Sequence, residues 1–128
     1  MTASQVILTG IAEDGGLFVP ETFPDLPPLE SLKKMDYREL AYAILRLYLD
    51  DYSDEEIKLA VNLAYDSKFE LPEVVPVVEA GGAFFLELFR GPTLAFKDMA
   101  LTILPHLLKT ALLKQGEKRE AAILTATS

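Results

Sequence analysis

From Asp36 onward the apolar positions take up a helical period. Tyr37, Leu40, Ala41, Ile44, Leu45, Tyr48 and Leu49 share one face at spacings of three and four. Ser53 stands three residues before Glu56, a capping-box spacing that opens a second helix. Its buried face is Ile57, Ala60, Val61, Ala64 and Tyr65, and it fades before Pro72. A connection this short predicts an antiparallel helix pair.

Outside this pair the pattern changes. Residues 5–9 (QVILT) and 17–19 (LFV) are short apolar runs around the turn signal Asp14-Gly15-Gly16, and they read as small strands. Pro20, Pro24, Pro27 and Pro28 break up the next stretch, leaving room for a short helical turn through Ser31 to Lys34. Residues 74–79 and 83–89 flank Ala80-Gly81-Gly82 as a hairpin or tight reversal, with Pro76 holding the first strand at an edge. A helix follows from Ala95 to Gln115, weakened one turn before Pro105 and ending at Gly116. Residues 121–127 (AAILTAT) have the pattern of a buried strand. Strand, helix and strand in that order predict a βαβ unit, the start of a parallel sheet.

Composition narrows the function. The chain has 128 residues, half of them hydrophobic, with a net charge of −8. That charge disfavours nucleic acid and anionic membrane surfaces as partners. Without cysteine there is no disulfide framework or thiolate metal site, and the lone His106 is read as a structural helix residue. The acidic run Asp50, Asp51, Asp54, Glu55, Glu56 lacks the glycine and the ligand alternation of a calcium loop, and complements a helix N-terminus instead. The first residues do not form a signal peptide, and no apolar run is long enough for a membrane span, so a cytoplasmic protein is expected.

The candidate chemistry lies in residues 89–98, FRGPTLAFKD, where an apolar strand meets a helix. Lys97 falls at that junction. The positive end of a helix dipole disfavours a charged ammonium, and a neutral lysine amine is a nucleophile for Schiff-base chemistry. An ordinary surface lysine in a first helical turn fits the same residues. In open α/β sheets ligands bind beyond the carboxyl ends of strands, which brings in Thr127 and Ser128 after AAIL as hydroxyl donors for a carboxylate or phosphate. Such a pair at a strand end is more often a loop or a helix cap. No phosphate-cradling glycine loop and no Ser-His-Asp arrangement is visible.

The motif GPTLAFKDMAL, residues 91–101, resembles the cofactor-lysine segment of the threonine synthase family, pyridoxal-phosphate enzymes of the tryptophan-synthase-β-like fold. GIAEDGGLFVPETFP (10–24), FFLELFRGPT (84–93) and ILTATS (123–128) resemble further segments of that family in the same order. The resemblance implies conversion of O-phospho-L-homoserine and water to L-threonine and phosphate. It implies that Lys97 carries the coenzyme and moves protons, that Phe96 packs on the coenzyme ring, and that Thr127 and Ser128 begin the substrate-carboxylate loop. Asp98 and Thr93 match the motif as helix start and local hydrogen bonding.

The implied fold is α/β: an N-terminal helical and small-strand subdomain, then the start of an open, mostly parallel sheet. Residues 1–80 would be the N-terminal domain and 81–128 the first part of the coenzyme-binding domain. Family members are several times longer. The coenzyme-phosphate segment and the partner of the pyridine nitrogen would lie beyond Ser128, so an N-terminal portion inactive alone is expected. A non-catalytic interaction module and a related phospho-lyase are the alternatives. An unfinished sheet would also favour self-association.

Overall fold

The computed structural model describes residues 1–118 and 120–123. Helix α1 spans Ala3–Thr9, α2 Leu29–Leu32, α3 Tyr37–Tyr48 and α4 Asp54–Ala64. Strands β1 (Val77–Ala80) and β2 (Ala83–Leu86) follow, then helices α5 (Asp98–Leu101) and α6 (Leu104–Lys114).

The helix pair forms where the periodicity places it. Asp36 accepts from the Glu39 N–H at 2.8 Å while Glu39 accepts from the Asp36 N–H at 3.0 Å, a reciprocal cap that starts α3. Ser53 and Glu56 do the same for α4, at 3.2 and 2.7 Å. All five residues of the expected α4 face are buried, with Ile57 and Ala64 fully so. The face of α3 is only half-buried: Tyr37, Ala41 and Leu45 pack on the core, while Tyr48 is exposed. Helix α3 is therefore an outer layer over α4. Helix α6 closes the other side through Ile103, Leu107 and Ala111.

The N-terminal run is helical rather than strand-like. Its amphipathic residues Ile7 and Leu8 pack against the core, and α1 lies along α6. The free N–H groups at its start are satisfied from the turn between α3 and α4. Ala3 N–H donates to Asp50 at 2.9 Å, Ser4 N–H to Asp51 at 3.1 Å, and the Ser4 hydroxyl also donates to Asp51. Gln115 Nε2 donates to the same Ser4 oxygen at 2.7 Å, tying in the end of α6. Residues 17–19 form no strand, and Leu17 and Val19 are exposed.

Strands β1 and β2 pair antiparallel, with Val77 opposite Leu86 and Ala80 opposite Ala83. Gly81 and Gly82 have φ of 59° and 76°, the two left-handed positions of a tight hairpin turn. This is the only sheet among the described residues. The expected parallel sheet does not appear in them: residues 121–123 are exposed and unpaired with any strand, and 124–128 lie outside the described residues. A parallel strand needs a neighbour to take up its backbone groups, and β2 is bonded only to β1. The expected long helix is divided. Pro105 cannot donate to the carbonyl four residues back, and the chain makes a turn at Thr102 and Ile103 between α5 and α6.

Asp51 predicts how α1 docking responds to acid. Burial works against its ionised form, but the Ser4 hydroxyl and N–H outweigh that and hold its carboxyl below the ordinary 3.8. A depressed native pKa stabilises fully above the unfolded value and ceases to stabilise as pH falls through the native one. The melting temperature of the chain should exceed that of Asp51→Asn near neutral pH, and the gap should close below pH 3.8. A gap that persists unchanged into acid would rule this out.

Candidate functional site

The segment from Glu87 to Asp98 is a loop fastened at both ends. At its start Arg90 binds the Glu70 carboxylate at 2.8 Å and Glu87 at 2.7 Å, while the Arg90 carbonyl accepts from Glu70 N–H at 3.0 Å. At its end Asp98, only 3% exposed, turns its carboxylate back along the chain. Thr93 N–H donates to it at 2.8 Å and the Thr93 hydroxyl at 2.6 Å. Two further backbone turns shape the interval: Leu94 N–H to Gly91 carbonyl at 3.1 Å and Asp98 N–H to Ala95 carbonyl at 3.0 Å. Gly91 is buried against the Asp98 side chain, and a Cβ there would lie 2.6 Å from Asp98 Cβ. Leu94 has φ of 61°, a left-handed conformation that costs a branched residue about 1 kcal/mol or more.

Lys97 is the N-cap of α5 rather than a residue of its first turn, because the helix begins at Asp98, three residues after the expected start at Ala95. Its carbonyl accepts from Ala100 and Leu101 N–H at 3.0 and 2.9 Å, so its backbone is held. Its side chain is exposed and forms no ion pair with the described residues; Nζ lies 6.0 Å from the Phe96 ring centre. Phe96 is also exposed. The structure thus brings Lys97 and Phe96 together on one exposed turn. Thr127 and Ser128 lie outside the described residues.

Tyr65 links this turn to the helical core. Its hydroxyl donates to the Met99 carbonyl at 2.8 Å, and Tyr37 donates to Met99 Sδ at 3.8 Å. The two rings meet edge to face at 4.8 Å. Burial raises both hydroxyls above their ordinary values, and for Tyr65 the neighbouring Tyr37 adds to it. Both therefore remain protonated donors through the neutral range. Periodicity marks Tyr37 and Tyr65 only as apolar faces. Their hydroxyl roles depend on Met99, 34 residues from Tyr65, and no local signal encodes that.

The chemistry of the donor set fits the aldehyde end of pyridoxal phosphate: a primary amine free of any carboxylate among the described residues, beside an exposed aromatic ring. No cradle for the phosphate occurs among the described residues. Gly91 is covered by Asp98, and the cavity of about 500 Å³ near Ile7, Leu8, Leu108 and Leu112 includes no residue of the lysine loop.

Residues 1–65 match the family described as threonine synthase N terminus. The chain is 36% identical to threonine synthase of Saccharomyces cerevisiae over 97% of its own length and 27% of that protein. It is 40% identical to threonine synthase of Schizosaccharomyces pombe over 91% of its length and 24% of that protein. Threonine synthase-like 1 of Mus musculus is 40% identical over 81% of the chain and 15% of that protein. The crystal structure of PLP-bound threonine synthase from Brucella melitensis superposes with a TM-score of 0.82 at 34% identity, over 91% of this chain and 26% of that one. The chain spans about a quarter of the length of the threonine synthases it matches.

Two substitutions test the architecture of the turn. Gly91→Ala forces a methyl into Asp98 and should destabilise by about 1–3 kcal/mol. Tyr65→Phe keeps the ring but strips the Met99 carbonyl of its donor, and should lower stability by about 1–2 kcal/mol. Urea denaturation measures both, and wild-type midpoints would contradict the geometry.

Proposed function

The chain belongs to the threonine synthase N-terminal family, and from that premise we propose that it carries the lysine-bearing region of a pyridoxal-phosphate-dependent threonine synthase. The reaction is conversion of O-phospho-L-homoserine and water to L-threonine and phosphate. In this reading residues 1–80 form the N-terminal domain and residues 81–128 begin the coenzyme-binding domain. The observation that carries the reading is Lys97: an exposed amine without an ion pair among the described residues, on a backbone held from both sides.

Pyridoxal phosphate, when bound, supplies an electron sink for carbanion chemistry at the substrate. The residues of this chain supply attachment and proton handling. Lys97 Nζ would hold the coenzyme through its aldehyde carbon and, whenever it stands as a free amine, would accept and return protons. Phe96 offers its exposed ring to the pyridine face. Thr127 and Ser128, assigned on the motif ILTATS alone, open the loop that takes the substrate carboxylate. The match to threonine synthase-like 1 favours a second reading, a phospho-lyase acting on a related substrate.

Incubation of the chain with pyridoxal phosphate, followed by borohydride reduction and peptide mass mapping, should place the adduct on Lys97 ahead of the other lysines. Label spread evenly over Lys58, Lys97 and Lys109 would refute the assignment. A chimera in which the chain replaces the matching segment of the S. cerevisiae threonine synthase should support growth without added threonine, and Lys97→Ala should abolish it. Release of 2-oxobutyrate in place of threonine by that chimera would favour the phospho-lyase.

A further inference from the structure

We propose that Asp98 is a positioning residue for Lys97: through Thr93 its buried carboxylate holds the Gly91–Lys97 loop and so sets where the amine and the Phe96 ring stand. The inference rests on the proposed role of Lys97 as the coenzyme lysine.

A carboxylate taken out of water is costly unless hydrogen bonds replace its hydration. Asp98 is 3% exposed, and no arginine or lysine among the described residues pairs with it. Its two oxygens instead accept separately from Thr93, Oδ2 from the N–H and Oδ1 from the hydroxyl. Starting α5 does not require this arrangement. Helix α5 has only four residues, and an exposed aspartate or serine at its start would serve as well.

What the two bonds do close is the interval from residue 93 to residue 98. That interval contains Leu94, left-handed at φ 61° and 71% exposed, so packing does not compensate its strain. Gly91 supplies the space in which the Asp98 side chain rests. A strained loop, a buried acceptor with two donors from one residue, and a glycine kept bare for it form one device. Strain that persists in this way is a mark of pre-organisation at functional sites. At its end the loop presents Phe96 and Lys97, both exposed. Holding the backbone while leaving the amine free is what a covalent attachment point needs.

Thr93 is exposed, so Thr93→Val removes the hydroxyl donor with little change in packing, and Thr93→Ser restores it. The reported quantity is the ratio of borohydride-fixed pyridoxal phosphate on Lys97 to that on Lys109, an exposed lysine of α6. Thr93→Val should lower the ratio about tenfold, the scale of one hydrogen bond to a charged group, and Thr93→Ser should keep it near wild type. Asp98→Asn should lower it further; where that variant does not fold, the Thr93 pair carries the test. Amide exchange across residues 94–97 is followed in the Thr93 pair and should accelerate in Thr93→Val and stay near wild type in Thr93→Ser. A Thr93→Val protein with wild-type ratio and wild-type exchange overturns the clamp. A wild-type chain with no preference for Lys97 sinks the coenzyme reading instead. In that case faster exchange in Thr93→Val still upholds the clamp, and unchanged exchange overturns it too.

Discussion

The apolar stripe of α4 is the constraint on which the rest of the molecule depends. Ile57, Ala60, Val61 and Ala64 are buried, and covering them brings α3 to one side and α6 to the other. Small residues at positions 60 and 64 allow that close approach. Once α6 is placed, Tyr52 can reach its backbone, donating to the Leu107 carbonyl at 2.9 Å. Burial and the nearby Asp51 and Glu56 charges push that phenol up to about 12, so it stays a donor. Lys114 closes the same corner by pairing with Glu56 at 2.8 Å.

The stripe reaches the candidate site through its last residue. Tyr65 ends the α4 face, and its hydroxyl holds Met99, two residues beyond Lys97. The helical core and the lysine turn are thereby one mechanical unit. The lysine itself takes no part in packing. The polar contacts in its neighbourhood, from Arg90 with Glu70 to Asp98 with Thr93, fasten the loop and leave the lysine side chain out. Function at this position then depends on a fixed main chain and an unencumbered side chain. The hairpin differs. Its strands leave Val77 on β1 and Phe84, Phe85 and Leu86 on β2 more than half exposed.

Much of this was legible before any coordinates. The caps at Asp36 and Ser53 act over three residues, and the Gly81-Gly82 reversal over two. The buried face of α4 followed from spacing, because a helix places i, i+3 and i+4 on one side whatever it packs against. The break before Pro105 followed from a missing N–H. The reading of residues 5–9 as strand-like failed for the opposite reason. Five apolar and polar residues carry no decisive period; Thr2 and Gln5 supply a local cap at the start of α1, and Asp50 and Asp51, 47 residues away, bind further free N–H groups there.

The sequence by itself determined the helix pair, the hairpin turn, and the family motif that singles out Lys97. These signals are local, encoded by residues a turn apart or by a contiguous string. Only the tertiary structure decided that Asp98 is buried, that Gly91 must stay bare beneath it, and that Tyr65 and Ser4 are fasteners rather than filler. A hydrogen bond is a property of two groups in space. When its partners lie 34, 47 or 111 residues apart, neither segment carries a trace of the other until the core has brought them together.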